Sequence, residues 1–180
     1  AFCSDGFIRD RTEEIIRKDS RREYYTNILN AHLITNKKPL DPDILEVFVV
    51  DLDGTVISST DVGLLGRDVS GETYFSETLK RGSYITDIHN HPSYKQNTHF
   101  DVSRLLLRKG GQEPIGIVVN RYNSDSLSGA IHRGIKEESG QTKQPNGLGE
   151  TGEVYIVNSN KVMITESRTI EGALYNQVVD

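Results

Sequence analysis

The chain has 180 residues, 35% of them hydrophobic and 26% charged, with a net charge of −5 at neutral pH. That length suits one domain of ordinary size, or one domain with part of another. The acidic balance excludes the clustered basic surface of a nucleic-acid binder, and the single Cys3 excludes an internal disulfide or a cysteine-based zinc cluster.

Residues 5–33 predict one long helix. Ile8, Thr12, Ile15, Arg22, Tyr25, Leu29 and Leu33 keep 3.6-residue spacing, Ile16, Ile28 and His32 widen the stripe, and no proline intervenes. At 1.5 Å per residue it would reach roughly 45 Å. Two readings stay open: an edge helix with one face solvated, or a stalk docked at one end and projecting at the other, with a homodimer covering its apolar stripe. Lys37-Lys38-Pro39 then stops it.

The next stretch, VFVVDLDGTVISST at 47–60, predicts a tight β-hairpin. Two β-rich apolar runs flank Asp53-Gly54, and Asp-Gly suits a type I′ turn. Asp51-Leu52-Asp53-Gly54-Thr55 also resembles the first motif of haloacid-dehalogenase-type phosphatases, in which the first Asp is a nucleophile and the second an acid/base beside Mg²⁺. That chemistry needs further acidic ligands and a parallel strand–helix–strand context. A strand leading straight into another favours the hairpin, and the phosphatase stands as the alternative.

Residues 71–79 predict a short helix ended by Gly82, 83–91 a third strand closed by Pro92, and 100–107 and 115–122 a second hairpin. Residues 124–135 are weakly helical, 137–146 a polar linker, 153–158 and 162–166 a last hairpin turned by Ser159-Asn160, and 169–179 helical. Segregated strands of this kind indicate an α+β fold with an antiparallel sheet.

Several patterns suggest chemistry. Gly147-Leu148-Gly149-Glu150-Thr151-Gly152 fits G-x-G-x-x-G, but it follows a linker and precedes a strand, the wrong context for a dinucleotide site. Asp87, His89 and His91 share one face of an extended strand, and His99 returns towards them. Zinc ligation and a polar pocket rim are both compatible with that spacing, and the expectation is no metal and no cofactor. No G-x-S-x-G elbow is present, so no catalytic residues are assigned. Tyr74, Phe75, Tyr84, Thr86, Asp87, His89, Ser103 and Arg104 have the mixture of apolar walls and a few polar groups that lines small-ligand pockets. Arg104, amid Val102, Leu105, Leu106 and Leu107, must pair or meet solvent.

On these stretches the chain resembles the Cache domains, PAS-like extracytoplasmic sensors of histidine kinases and chemoreceptors. The resemblance rests on PLDPDILEVFVVDLDGTVISST (39–60), GRDVSGETYF (66–75), SYITDI (83–88), IGIVVNRY (115–122) and GLGETGEVYIVNSNKVMITESR (147–168), in that order and spacing. It implies a long N-terminal helix over 1–36, a membrane-distal sensor domain over 37–136 with a central antiparallel sheet of about five strands, and, over 137–180, a linker and the opening of a second, smaller PAS-like domain. It implies the ligand-sensing part of a transmembrane receptor, most of all a sensor histidine kinase, outside the cytoplasm and performing no catalysis itself. By the same resemblance Tyr74, Tyr84, Thr86, Asp87, Ser103 and Arg104 line the pocket, with Arg104 binding an anionic group. Relatives that bind amino acids carry an Arg and aromatic motif after the short helix, and this chain lacks it. A protein-binding module without a small ligand is a further alternative. No run of about 18 apolar residues is present to span a membrane, and no signal peptide is visible.

Overall fold

The computed structural model describes residues 2–90, 98–124, 155–164, 167, 170, 173 and 177–179. By its contacts the chain divides into two compact units, 1–86 with 100–122, and 87–99 with 123–180.

The first unit opens with α1 (Gly6–Ile16), capped by Asp5, whose carboxylate accepts from the Phe7 N–H at 2.8 Å and the Ile8 N–H at 3.4 Å. The predicted continuous helix ends here. Lys18 takes a left-handed φ of 56°, the Asp19 carboxylate accepts from the Arg21 N–H at 2.8 Å, and α2 (Arg22–His32) starts afresh. It widens into a π turn over Leu33–Lys37. The helices lie antiparallel: Phe7 stacks on His32 with ring centroids 4.3 Å apart, and Asp5 bonds both His32 and Lys37. The physical reason lies in residues 17–21, too polar to bury. Folding back at that point lets Ile8 and Ile15 share one core with Leu29 and Leu33. No stalk projects from α1 or α2, and the expected dimer stripe is inside the unit.

Among the described residues six strands follow: β1 (Ile44–Val50), β2 (Val56–Ser59), β3 (Ser83–Ile85), β4 (His89–Asn90), β5 (Thr98–Leu107) and β6 (Pro114–Asn123). They form one sheet in the order β2-β1-β6-β5-β3, with β4 also on β5. The α+β class with a helical N-terminus and an antiparallel sheet is as the sequence predicts. The third strand is shorter than 83–91, since 86–88 leave the ladder between β3 and β4.

Strand periodicity sends alternate side chains to opposite faces. Ile44, Val47, Val49, Leu106, Ile115 and Val118 meet α1 and α2, whereas Phe48, Val50, Ile117 and Val119 meet α3 (Thr73–Arg81) through Tyr74 and Phe75. Covered on both sides, β1 and β6 read as continuous apolar runs. At Gly116 a Cβ would stand 2.6 Å from the Val50 carbonyl oxygen, so only glycine lets β6 approach β1 there.

The reversal between β1 and β2 falls at the predicted residues but is looser than a type I′ turn. Asp51 N–H bonds the Thr55 carbonyl at 2.9 Å, and Gly54 alone has a positive φ, 90°. Residues 67–69 then run beside β2: Val56 N–H donates to the Arg67 carbonyl and Val69 N–H to the Gly54 carbonyl. That edge of the sheet is therefore occupied.

In the second unit, β4 pairs His89 with His99 and Asn90 with Thr98. Val157 bridges Met163, Asn158 N–H bonds the Val162 carbonyl at 2.9 Å, and Val162 bridges Val178. Of the last predicted hairpin, 153–158 with 162–166, the described residues 155–158 and 162–164 carry the pairing, whereas Val178, expected in a helix over 169–179, bridges Val162 in extended backbone instead. The weak helix at 124–135 (from 125 on), the linker at 137–146, the G-x-G-x-x-G stretch and His91 lie outside the described residues.

Candidate functional site

The α3 side of the sheet changes character towards the start of β1. Arg121 of β6 stands opposite Glu46 of β1 in the ladder. Its guanidinium grips Asp101 of β5 with Nε–Oδ1 at 2.9 Å and Nη2–Oδ2 at 3.2 Å, and reaches Glu46 Oε2 from Nη1 at 3.2 Å. Side-chain exposures are 5% for Arg121, 5% for Glu46 and 0% for Asp101. Such a two-pronged grip is the strong form of the ion pair.

Electrostatics follow from burial. Desolvation is the largest influence on Arg121 and pulls its pKa down, but the hydrogen bonds and charge of Asp101, with Glu46, outweigh it and leave the guanidinium more basic than usual. Glu46 goes the other way: burial pushes its carboxyl above the ordinary range against the pull of Arg121. Burial, helped by the charge of Asp101, also pushes the Tyr74 phenol up.

Aromatic rings wall the cluster. The Arg121 guanidinium carbon lies 5.4 Å from the Phe48 ring centroid, and Phe48 meets Tyr74 edge-on at 6.2 Å. Beside them Ser103 shares a 2.5 Å contact with the Thr78 hydroxyl of α3 and donates to the Tyr84 carbonyl at 3.1 Å. Thr86 Oγ1 accepts from the Asp101 N–H at 2.8 Å.

The structure brings Tyr74, Tyr84, Thr86 and Ser103, among the predicted site residues, to the neighbourhood of this cluster. Arg104 is exposed on the opposite face of β5 from buried Ser103. Asp87 and His89 belong to the second unit, where Asp87 accepts from the Ser159 hydroxyl at 2.5 Å. Sequence reasoning missed Glu46, Asp101 and Arg121. The signal was available: Arg121 interrupts the apolar run 115–122 just as Arg104 interrupts 102–107, and a charge on a covered strand has to be paired.

Asp51 is not a nucleophile poised beside a cation. It ends a strand whose neighbours are antiparallel, and its carboxylate is spent on the Asp53 N–H at 3.1 Å and the Thr55 N–H at 2.8 Å. Among the described residues it joins no cluster of metal-ligating side chains. The phosphatase alternative is overturned by that geometry.

No protein-family model and no curated protein matches the chain. Solved structures do: the α+β fold is the one carried by sensor and ligand-binding domains of bacterial histidine kinases and chemoreceptors, the fold that the Cache resemblance implies. The sensor domain of the Vibrio cholerae histidine kinase DctB aligns with a TM-score of 0.57 at 14% identity, over 75% of this chain and 48% of that one. The ligand-binding domain of the Pseudomonas fluorescens chemoreceptor CtaA, in complex with L-serine, aligns at 0.57 and 11% identity, over 92% and 62%. The ligand-binding domain of the Pseudomonas aeruginosa chemoreceptor PctB, in complex with L-Arg, aligns at 0.55 and 13%, over 94% and 63%. The chain thus spans about half of the DctB domain and under two thirds of the other two.

Proposed function

We propose that this chain is the small-ligand-sensing part of a transmembrane receptor, lying outside the cytoplasm, with a sensor histidine kinase as the parent protein. Residues 37–136 form the sensor domain in this reading, and 137–180 begin a second, smaller one. The observation that carries the reading is the Glu46–Arg121–Asp101 cluster, buried against the aromatic wall of Phe48 and Tyr74 on the α3 side of a PAS-like sheet. Paired charges are costly to hide, and replacing them by apolar residues is often neutral or stabilising. Their presence on an otherwise apolar face supports a recognition role. The fold likeness to DctB, CtaA and PctB supports it from outside the site.

One cation against two carboxylates favours a ligand bearing an amine or hydroxyl donors over a purely anionic one. Tyr74, Tyr84 and Ser103 supply the wall and neutral polar contacts, while Thr86 positions Asp101 through its backbone. Binding alters signalling only through unequal affinity for two states of the domain.

A thermal-shift screen against a metabolite library that includes α-amino acids, amines and dicarboxylates tests this. At least one compound is expected to raise the midpoint saturably, in line with RT ln(1 + [L]/Kd). Asp101→Asn and Tyr74→Phe are expected to reduce the shift, and Arg104→Ala to leave it. A shift abolished by Arg104→Ala and untouched by Asp101→Asn would move the site to the other face of β5. No shift with any compound would favour a protein-binding module.

A further inference from the structure

We propose that the cleft framed by the start of α2, by β2 and by Leu65-Gly66 is a second small-molecule site. Its ligand is a zwitterion whose amine and acid stand at opposite ends of a short methylene chain. The cleft lies wholly within the first unit, shares no residue with the Arg121 cluster and is independent of the ligand-sensing reading. Its volume of about 430 Å³ falls in the range of small-ligand pockets.

The walls follow from the fold. Val56 and Ile57 of β2 are buried and, with half-buried Leu65, give the cleft an apolar floor. Thr26 Oγ1 donates to the Ile57 carbonyl at 3.4 Å and so holds α2 over that strand. Gly66 leaves the mouth open, since a Cβ there would meet nothing within 4 Å.

Charge placement carries the inference. Arg22 and Glu23 both line the cleft, Arg22 half-buried and Glu23 exposed. Among the described residues neither side chain has a hydrogen bond, ion pair or ring contact. Sequence neighbours on a helix do not face each other, so this opposite pair does not neutralise itself. Asp19, the other charge in the lining, is already committed: its carboxylate accepts from the Arg21 N–H at 2.8 Å and from Arg21 Nη2 at 3.2 Å. One open cation and one open anion over an apolar floor select a ligand with both signs and a hydrocarbon middle. A lone acid would face Glu23, and a lone amine would face Arg22.

Spacing narrows the class. Successive helical residues leave the axis about 100° apart, which sets their outer ends about 8 Å apart on a helix of ordinary diameter. An α-amino acid, with amine and acid on one carbon, is too short to meet both. An ω-amino acid is long enough, with its acid on the Arg22 guanidinium and its amine on the Glu23 carboxylate.

The test is isothermal titration calorimetry of the full chain with 6-aminohexanoate, with hexanoate and hexylamine as comparison ligands. Saturable binding is expected, at least about tenfold tighter than for either comparison ligand, and excess norleucine should not displace it. Arg22→Gln and Glu23→Gln are each expected to weaken it at least about tenfold, whereas Asp101→Asn leaves it unchanged. Both replaced side chains lack partners, so both variants should keep the wild-type urea midpoint; if one folds poorly, the other decides. No saturable binding overturns the site, as does binding that neither variant weakens. Equal affinity for hexanoate or hexylamine, or displacement by norleucine, overturns the ligand class. Loss in Asp101→Asn alone would put the probe in the Arg121 cluster and overturn the second site while leaving the first.

Discussion

Arg121 shows how little freedom a buried charge leaves its surroundings. Its Nε, Nη1 and Nη2 all reach carboxylates, and removing it strands Asp101 and Glu46 away from water. Arg121→Met is therefore expected to cost about 3–5 kcal/mol, read by urea denaturation. Glu46 gives a pH signature. Its folded-state pKa is raised by burial, so its proton is held more tightly in the fold than in the open chain. That contribution is present in acid and lost as pH rises through the raised value. Glu46→Gln should accordingly gain on the wild type as pH rises above the ordinary glutamate range, measured as unfolding free energy against pH. Asp5 has the opposite sign. Burial pushes its carboxyl up, but hydrogen bonds from Lys37, the Phe7 N–H and His32 outweigh it and hold the pKa at about 2. Its stabilisation is present above the ordinary value of 3.8 and disappears as pH falls through about 2. Asp5→Ala is expected to cost about 1–2 kcal/mol at neutral pH.

The elements divide by how far their cause is local. β1, β2, β5 and β6 were legible because β-branched residues, Gly and Pro mark their bodies and ends, and because both faces of β1 and β6 are covered. The helix break was not legible. Ile8, Ile15, Leu29 and Leu33 keep one period across residues 17–21, and only the tertiary gain of stacking α1 on α2 decides where the chain turns. Lys18 records the cost of that turn, its backbone in a left-handed conformation that favours glycine. Lys18→Gly is expected to stabilise the unit by about 1 kcal/mol, read by the denaturation midpoint. Gly116→Ala should do the reverse by about 1–3 kcal/mol, because a methyl group there collides with the backbone of β1. The cluster around Arg121 was half legible. Tyr74 and Ser103 follow from the strand and helix pattern, but Glu46, Asp101 and Arg121 lie far apart in sequence and meet only through the strand order β1-β6-β5.

At the scale of the whole molecule, the two faces of the sheet of the first unit do different work. One is covered by α1 and α2 with a mainly apolar core, in which buried Thr12 and an Asn30–Ser58 hydrogen bond are also set. The other combines an apolar floor with a polar, charged end beside α3. The same view separates the chain from the phosphatases that its Asp51–Thr55 segment resembles. No Mg²⁺-dependent turnover of phosphate esters is expected in a colorimetric assay, and turnover removed by Asp51→Asn would contradict the assignment of Asp51 to the turn.

The clasp of Asp5 with His32 and Lys37 has a mechanical consequence. It joins the first residues of α1 to the segment just before β1, so tension applied at the N-terminal side bypasses most of the helical hairpin and enters the sheet near Ile44. A pull or twist there would be felt first by the strand that carries Glu46, whereas with the clasp cut by Asp5→Ala the hairpin would peel away one turn at a time.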